Sequence, residues 1–125
     1  MPQKTVLSVG QCGPDQTALA GFLNAHFDVQ ILTSDLLPDT LETLRGRTVD
    51  LVLINRKLDA DYSDGMEILT SIREDPALRD IPVMIISNFD DAQQAAVAAG
   101  AARGFGKAEL SDPATRDTVA AILAD

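Results

Sequence analysis

The sequence predicts an α/β fold: one sheet of five parallel strands in the order 2-1-3-4-5, wound on both faces by five helices. Three observations carry this. Five short apolar runs alternate with five segments of helical periodicity, the pattern of repeated right-handed strand–helix–strand crossovers. Three of the runs are the most apolar, the one ending at Asn55 continuously so, as a strand covered on both faces is. The other two are weaker, one alternating and one containing glycine, and suit the two edges of the sheet.

Composition sets the bounds. With 125 residues, 46% hydrophobic and 23% charged, the chain carries apolar material for one core, and residues 1–125 read as a single domain. A formal net charge of −9 argues against nucleic acid or an anionic membrane as a direct partner, because both require a positive surface. A basic or neutral protein surface is the natural target. The single cysteine, Cys12, cannot form an internal disulfide. The first apolar run is too short for a signal peptide and no segment approaches the ~20 apolar residues of a membrane span, so a cytoplasmic location is expected.

The first strand is Thr5-Val6-Leu7-Ser8-Val9, stopped by the turn cluster from Gly10 to Pro14. A helix follows from Pro14 to Phe27, with Leu19, Phe22 and Leu23 at i, i+3 and i+4. His26 near its end reads as a helix-terminal residue, since no second metal-ligand type accompanies it at useful spacing. Val29 to Thr33 alternates and predicts an edge strand. The next helix, from about Pro38 to Arg47, uses Leu41 and Leu44, with Leu37 stapling its entry.

The stretch Val49 to Asn55 is the central strand, a buried run ending in one polar residue. Ligands in open α/β sheets bind outside the carboxyl ends of the strands, which makes Asn55 a candidate site residue. A polar loop from Arg56 to Asp64 leads to a helix from Gly65 to Arg73, with Ile68, Leu69 and Ile72 on one face and Pro76 after it. Ile81 to Ser87 is another strongly apolar strand, with Pro82 at its start. Asp90 to Ala99 is an alanine-rich helix stopped by Gly100. Its small side chains fit either a docking face or close packing. Arg103 to Gly106 is a weak edge strand that delivers Lys107, and the last helix runs from about Asp112 to Ala124 with Val119, Ile122 and Leu123 buried.

Val49-Asp50-Leu51-Val52-Leu53-Ile54, Asp64-Gly65-Met66-Glu67-Ile68-Leu69, Ile81-Pro82-Val83-Met84-Ile85-Ile86-Ser87, and Gly100-Ala101 leading to Lys107 together resemble a two-component response-regulator receiver domain along essentially the whole chain. The resemblance implies a flavodoxin-like fold. It also implies a site in which an aspartate after the third strand takes a phosphoryl group, an acidic pair after the first strand holds Mg²⁺, and a hydroxyl and a lysine grip the phosphoryl oxygens.

Carried over residue by residue, the hydroxyl is Ser87 and the lysine is Lys107, but the phosphoacceptor position is Asn55 and the acidic pair is Gly10 and Gln11. An amide has no carboxylate oxygen to attack phosphorus. Mg²⁺ prefers carboxylate oxygens. Of these positions only Lys107 is charged, so the pocket is expected to change sign from negative to positive. The aromatic switch position falls on Gly104, the proline after the lysine is replaced by Ala108, and the loop from Asn55 to Asp64 is longer than the family pattern.

The resemblance therefore implies a degenerate receiver: a non-enzymatic, phosphorylation-independent interaction module in signal transduction, without metal or cofactor. Expected partners are proteins, such as a signalling protein or a histidine kinase. A homodimer through the face of the fourth helix, fifth strand and fifth helix is the other association it implies. The alternative is a phosphorylatable receiver with Asp59 or Asp61 as acceptor. Asp59, Asp61 and Asp64 otherwise read as solvated loop acids, one of which pairs with Lys107. Cys12 reads as a small apolar residue rather than a redox group.

Overall fold

The computed structural model describes residues 3–124. Its elements are β1 (Lys4–Val9), α1 (Gly13–His26), β2 (Val29–Ser34), α2 (Leu37–Gly46), β3 (Leu51–Asn55), α3 (Met66–Glu74), β4 (Val83–Ile86), α4 (Asp90–Ala98), β5 (Ala102–Phe105) and α5 (Pro113–Leu123), with a 3₁₀ turn at Lys107–Glu109. The sheet order is β2-β1-β3-β4-β5 and every pairing is parallel. Both the predicted order and the two predicted edges are observed.

Strand alternation divides the core into two layers. Leu7, Val9, Val52, Ile54, Val83 and Ile85 face α2, α3 and α4 and pack with Leu44, Ile68, Leu69 and Ile72. Val6, Leu51, Leu53, Met84 and Ile86 face the other way, against Leu19, Phe22 and Leu23 of α1 and Val119 and Leu123 of α5. Because β3 and β4 are covered on both sides, Leu51 to Ile54 and Val83 to Ile86 are apolar without a break, whereas β1 buries one polar residue, Ser8, whose hydroxyl donates to Gln16 Oε1 at 2.6 Å.

Helix starts follow the local chemistry. The Asp39 carboxylate accepts from the Asp35 and Leu36 backbone N–H groups at 2.7 and 2.8 Å, closing the entry to α2. Asp112 caps α5 by accepting from Ala114 N–H at 2.9 Å.

β1 and β5 each start one residue before the expected position, and two strands start two residues after it. β3 begins at Leu51 rather than Val49, and β4 at Val83 rather than Ile81. Pro82 has no N–H for the ladder, so it lies just before the strand and contributes only its carbonyl, which accepts from Val52 N–H at 2.9 Å. No helix among the described residues is long and apolar enough to cross a membrane.

Candidate functional site

The carboxyl ends of β3 and β4 and the segment after β5 bring Asn55, Ser87 and Lys107 to one pocket of about 260 Å³, also lined by Arg56, Lys57, Asn88 and Phe89. Lys107 donates to the Asp15 carboxylate at 2.6 Å and to Asn55 Oδ1 at 3.1 Å. Its partner is thus Asp15, in the first turn of α1, and not Asp59, Asp61 or Asp64. Asp15 compensates the Lys107 charge, while Arg56 and Lys57 add two further cations to the pocket lining. The hydrogen bond from Lys107, followed by one from the Cys12 thiol, holds the Asp15 carboxyl below the usual carboxylate range.

The Asn55 amide is engaged at both ends. Besides accepting from Lys107, it donates through Nδ2 to the Lys57 carbonyl at 2.6 Å, with a longer approach of 3.5 Å to the Gly10 carbonyl. A donor on one side and an acceptor on the other set the amide's orientation. An aspartate could satisfy only the first.

The loop after β3 folds back over the end of β1. Asp59 N–H donates to the Gly10 carbonyl at 3.0 Å, and Leu58 inserts beneath it, 2% exposed and part of the core. Gly10 has φ 73, and a Cβ there would collide with the Leu58 side chain. Leu58 was not singled out in the sequence, although it is the one large aliphatic side chain of a polar loop. The loop acids also have assigned roles. Asp64 pairs with Arg56 and caps Met66 N–H at 2.9 Å, and Asp61 accepts from Ser63 N–H at 2.9 Å and its hydroxyl at 2.6 Å. Asp59 and Asp61 are exposed and Asp64 is half-exposed, so the loop acids remain in contact with solvent while two of them also order the loop.

This donor set does not fit Mg²⁺. The ion needs carboxylate and water oxygens in octahedral array, whereas Gly10 and Gln11 offer no carboxylate, Leu58 occupies the space beside Gly10, and Asp15 is held by an ammonium. Among the described residues no cluster of three His, Cys, Asp or Glu side chains is disposed to hold a metal ion.

Ser87 is 8% exposed. Its N–H donates to the Phe105 carbonyl at 3.0 Å and its Oγ accepts from Phe89 N–H at 3.2 Å, closing a short local turn. Behind it lies a residue sequence reasoning missed. Gln93 of α4, 3% exposed, donates through Nε2 to the Ile85 and Ser87 carbonyls at 2.9 and 3.1 Å and accepts from Gly104 N–H at 2.8 Å. One side chain ties α4 to β4 and β5. Gly104 packs so closely on β4 that a Cβ would fall on the Ile85 carbonyl.

No protein-family model matches the chain, and no curated protein matches it. Solved structures do. The signal receiver domain of a DNA-binding response regulator from Colwellia psychrerythraea 34H superposes with a TM-score of 0.80 at 24% identity, covering 98% of this chain and 100% of that one. The fold is that of response-regulator receiver domains. Chemotaxis protein CheY4 of Vibrio cholerae matches at TM-score 0.70 and 15% identity over 98% of this chain and 97% of that one. The phosphorylated cyanobacterial phytochrome response regulator RcpA matches at 0.70 and 22% over 97% and 91%. Within this receiver fold, Asn55, Ser87 and Lys107 stand together at the carboxyl edge of the sheet, while Gly10 and Gln11 leave the end of β1 without a carboxylate.

Proposed function

We propose that this chain is a receiver-type signalling domain that works through protein contacts without being phosphorylated. The observation that carries the reading is Asn55: at the position where receivers bear an aspartate stands an amide whose oxygen accepts from Lys107 and whose nitrogen donates to the Lys57 carbonyl. It offers no nucleophilic oxygen, and its hydrogen bonds stabilise the neutral side chain. Gly10 and Gln11 supply no carboxylate for the metal that phosphoryl transfer would need, and Leu58 lies where a side chain on Gly10 would start.

The same reading extends to switching. A receiver transmits its state through the hydroxyl after β4 and an aromatic ring on β5; here Gln93 fastens α4 to both strands and Gly104 has no ring. A ligand shifts an equilibrium only by binding two states differently, and a domain with neither input nor switch presents one constitutive surface. Its partners are proteins, a histidine kinase or another signalling protein among them, and the face of α4, β5 and α5 is open to a second copy. Asp61, bonded to Ser63, serves its loop rather than phosphorus.

The test is intact mass after incubation with acetyl phosphate and Mg²⁺. The expected result is an unchanged mass. A phosphoryl adduct on Asp59, Asp61 or any other acid overturns the proposal.

A further inference from the structure

Three of the four phenylalanines pack together, Phe22 lying 6.2 Å from Phe27 and 6.0 Å from Phe105 between ring centroids. Phe89 does not join them. It is 71% exposed, as is Tyr62, the chain's single tyrosine. Tyr62 has φ 59, a left-handed conformation that costs a bulky residue on the order of 1 kcal/mol. Neither ring is needed by the core.

The two aromatics border one continuous surface. Lys57 holds its ammonium 5.3 Å from the centre of the Tyr62 ring and lines the same pocket as Phe89. An adjoining groove of about 400 Å³ runs between Arg56 and Phe89 over the methyl groups of Ala92 and Ala95, with Asp91 the one acid on its wall. Arg56, Lys57 and Lys107 are three of the chain's ten lysines and arginines, gathered here in a protein of net charge −9.

Arg56 is available for exchange. Its pair with Asp64 is half-exposed, at 41% and 44%, so it is worth no more than ~1 kcal/mol. A carboxylate from a partner can replace Asp64. Exposed aromatic rings beside arginine are the composition of interface hot spots.

We propose that the groove between Arg56-Lys57 and the Phe89, Ala92, Ala95 face of α4 docks an acidic segment of a partner protein. One carboxylate lies on Arg56 or Lys57, and an apolar side chain enters against Phe89 and the two alanines. This names the partner chemistry of the interaction module proposed above and rests on that reading. Repulsion from the remaining acids is screened beyond ~8 Å at physiological ionic strength, so recognition depends on the cations of the groove.

The experiment selects binders to the whole chain from a displayed library of short random peptides, then titrates the best synthetic peptide by fluorescence anisotropy and amide NMR. The selected sequences are expected to place Asp or Glu beside an aromatic or aliphatic residue and to shift amides in 56–62 and 87–95. Affinity should fall roughly tenfold or more in Phe89→Ala and in the pair Arg56→Gln, Lys57→Gln, and stay unchanged in Arg116→Gln, an exposed cation elsewhere. A basic or uncharged consensus, shifts outside the groove, equal affinity in the variants or no retained peptide overturns the groove proposal. So does self-association that Phe89→Ala abolishes, which would assign the groove to a second copy. Peptides mapping to another face leave the interaction module standing, and a phosphoryl adduct in the mass experiment removes the module whatever the peptides do.

Discussion

The Lys107 ammonium lies 2.6 Å from the Asp15 carboxylate, joining the segment after β5 to the first turn of α1 across the carboxyl edge of the sheet. The folded carboxyl titrates below the 3.8 of an unperturbed aspartate, chiefly because of Lys107. A folded value below the unfolded one means that the stabilisation is complete above the unfolded pKa and is lost as pH falls through the folded value. With 24% and 39% of the two side chains exposed, it amounts to no more than about 1 kcal/mol. Urea denaturation should therefore show Asp15→Asn less stable than the parent at pH 7, with the gap narrowing below pH ~4. An identical gap at both pH values would mean that the contact is not ionic.

Asn55→Asp is expected not to create a phosphoacceptor, and to cost stability. The new carboxylate attracts Lys107, which already has Asp15, but it faces the Lys57 carbonyl with an acceptor where the amide supplied a donor. An unpaired, repelled carbonyl costs on the order of 1–3 kcal/mol, offset in part by the lysine. Denaturation and intact mass after acetyl phosphate with Mg²⁺ check the two halves. Adding Gly10→Asp and Gln11→Asp should not rescue the chemistry while Leu58 remains, because Gly10 has φ 73 and Leu58 blocks its Cβ.

Leu58→Ala tests whether the loop after β3 is a packed plug. Leu58 is 2% exposed, and truncating a buried leucine costs about 2–5 kcal/mol where the cavity cannot collapse. Amide exchange should accelerate most in 56–63 and at Gly10. A loss below ~1 kcal/mol would place Leu58 at the surface in solution.

Gln93→Ala should destabilise by about 1–3 kcal/mol, since it strands the Gly104 N–H and deprives the Ile85 and Ser87 carbonyls of a donor. Thermal unfolding measures the loss, and NMR exchange at α4 should show the helix loosened.

Beryllofluoride with millimolar Mg²⁺ should leave the amide spectrum and the sedimentation behaviour of the parent unchanged. Saturable shifts around Gly10, Gln11 and Asn55, or a concerted shift along α4 and α5, would show that metal binding or a switch survives.

The sheet and its order were legible from local pattern, because β1, β3 and β4 are buried on both faces and are the most apolar runs, while β2 alternates and β5 carries Gly104. The positions of Asn55, Ser87 and Lys107 followed equally, since each ends a strand or stands just past one and parallel strands deliver their carboxyl ends to one edge. Which groups these residues touch did not follow. Asp15 is 92 residues from Lys107, and choosing it over the loop acids requires knowing where α1 begins relative to β5. Leu58 and Gln93 escaped for a related reason: a leucine in a polar loop and a glutamine in an alanine-rich helix carry no periodic signal of their own, and only the packed structure decides that one fills the end of β1 and the other satisfies three backbone groups. Periodicity records which face of an element is buried; long-range pairing is set by how the elements meet.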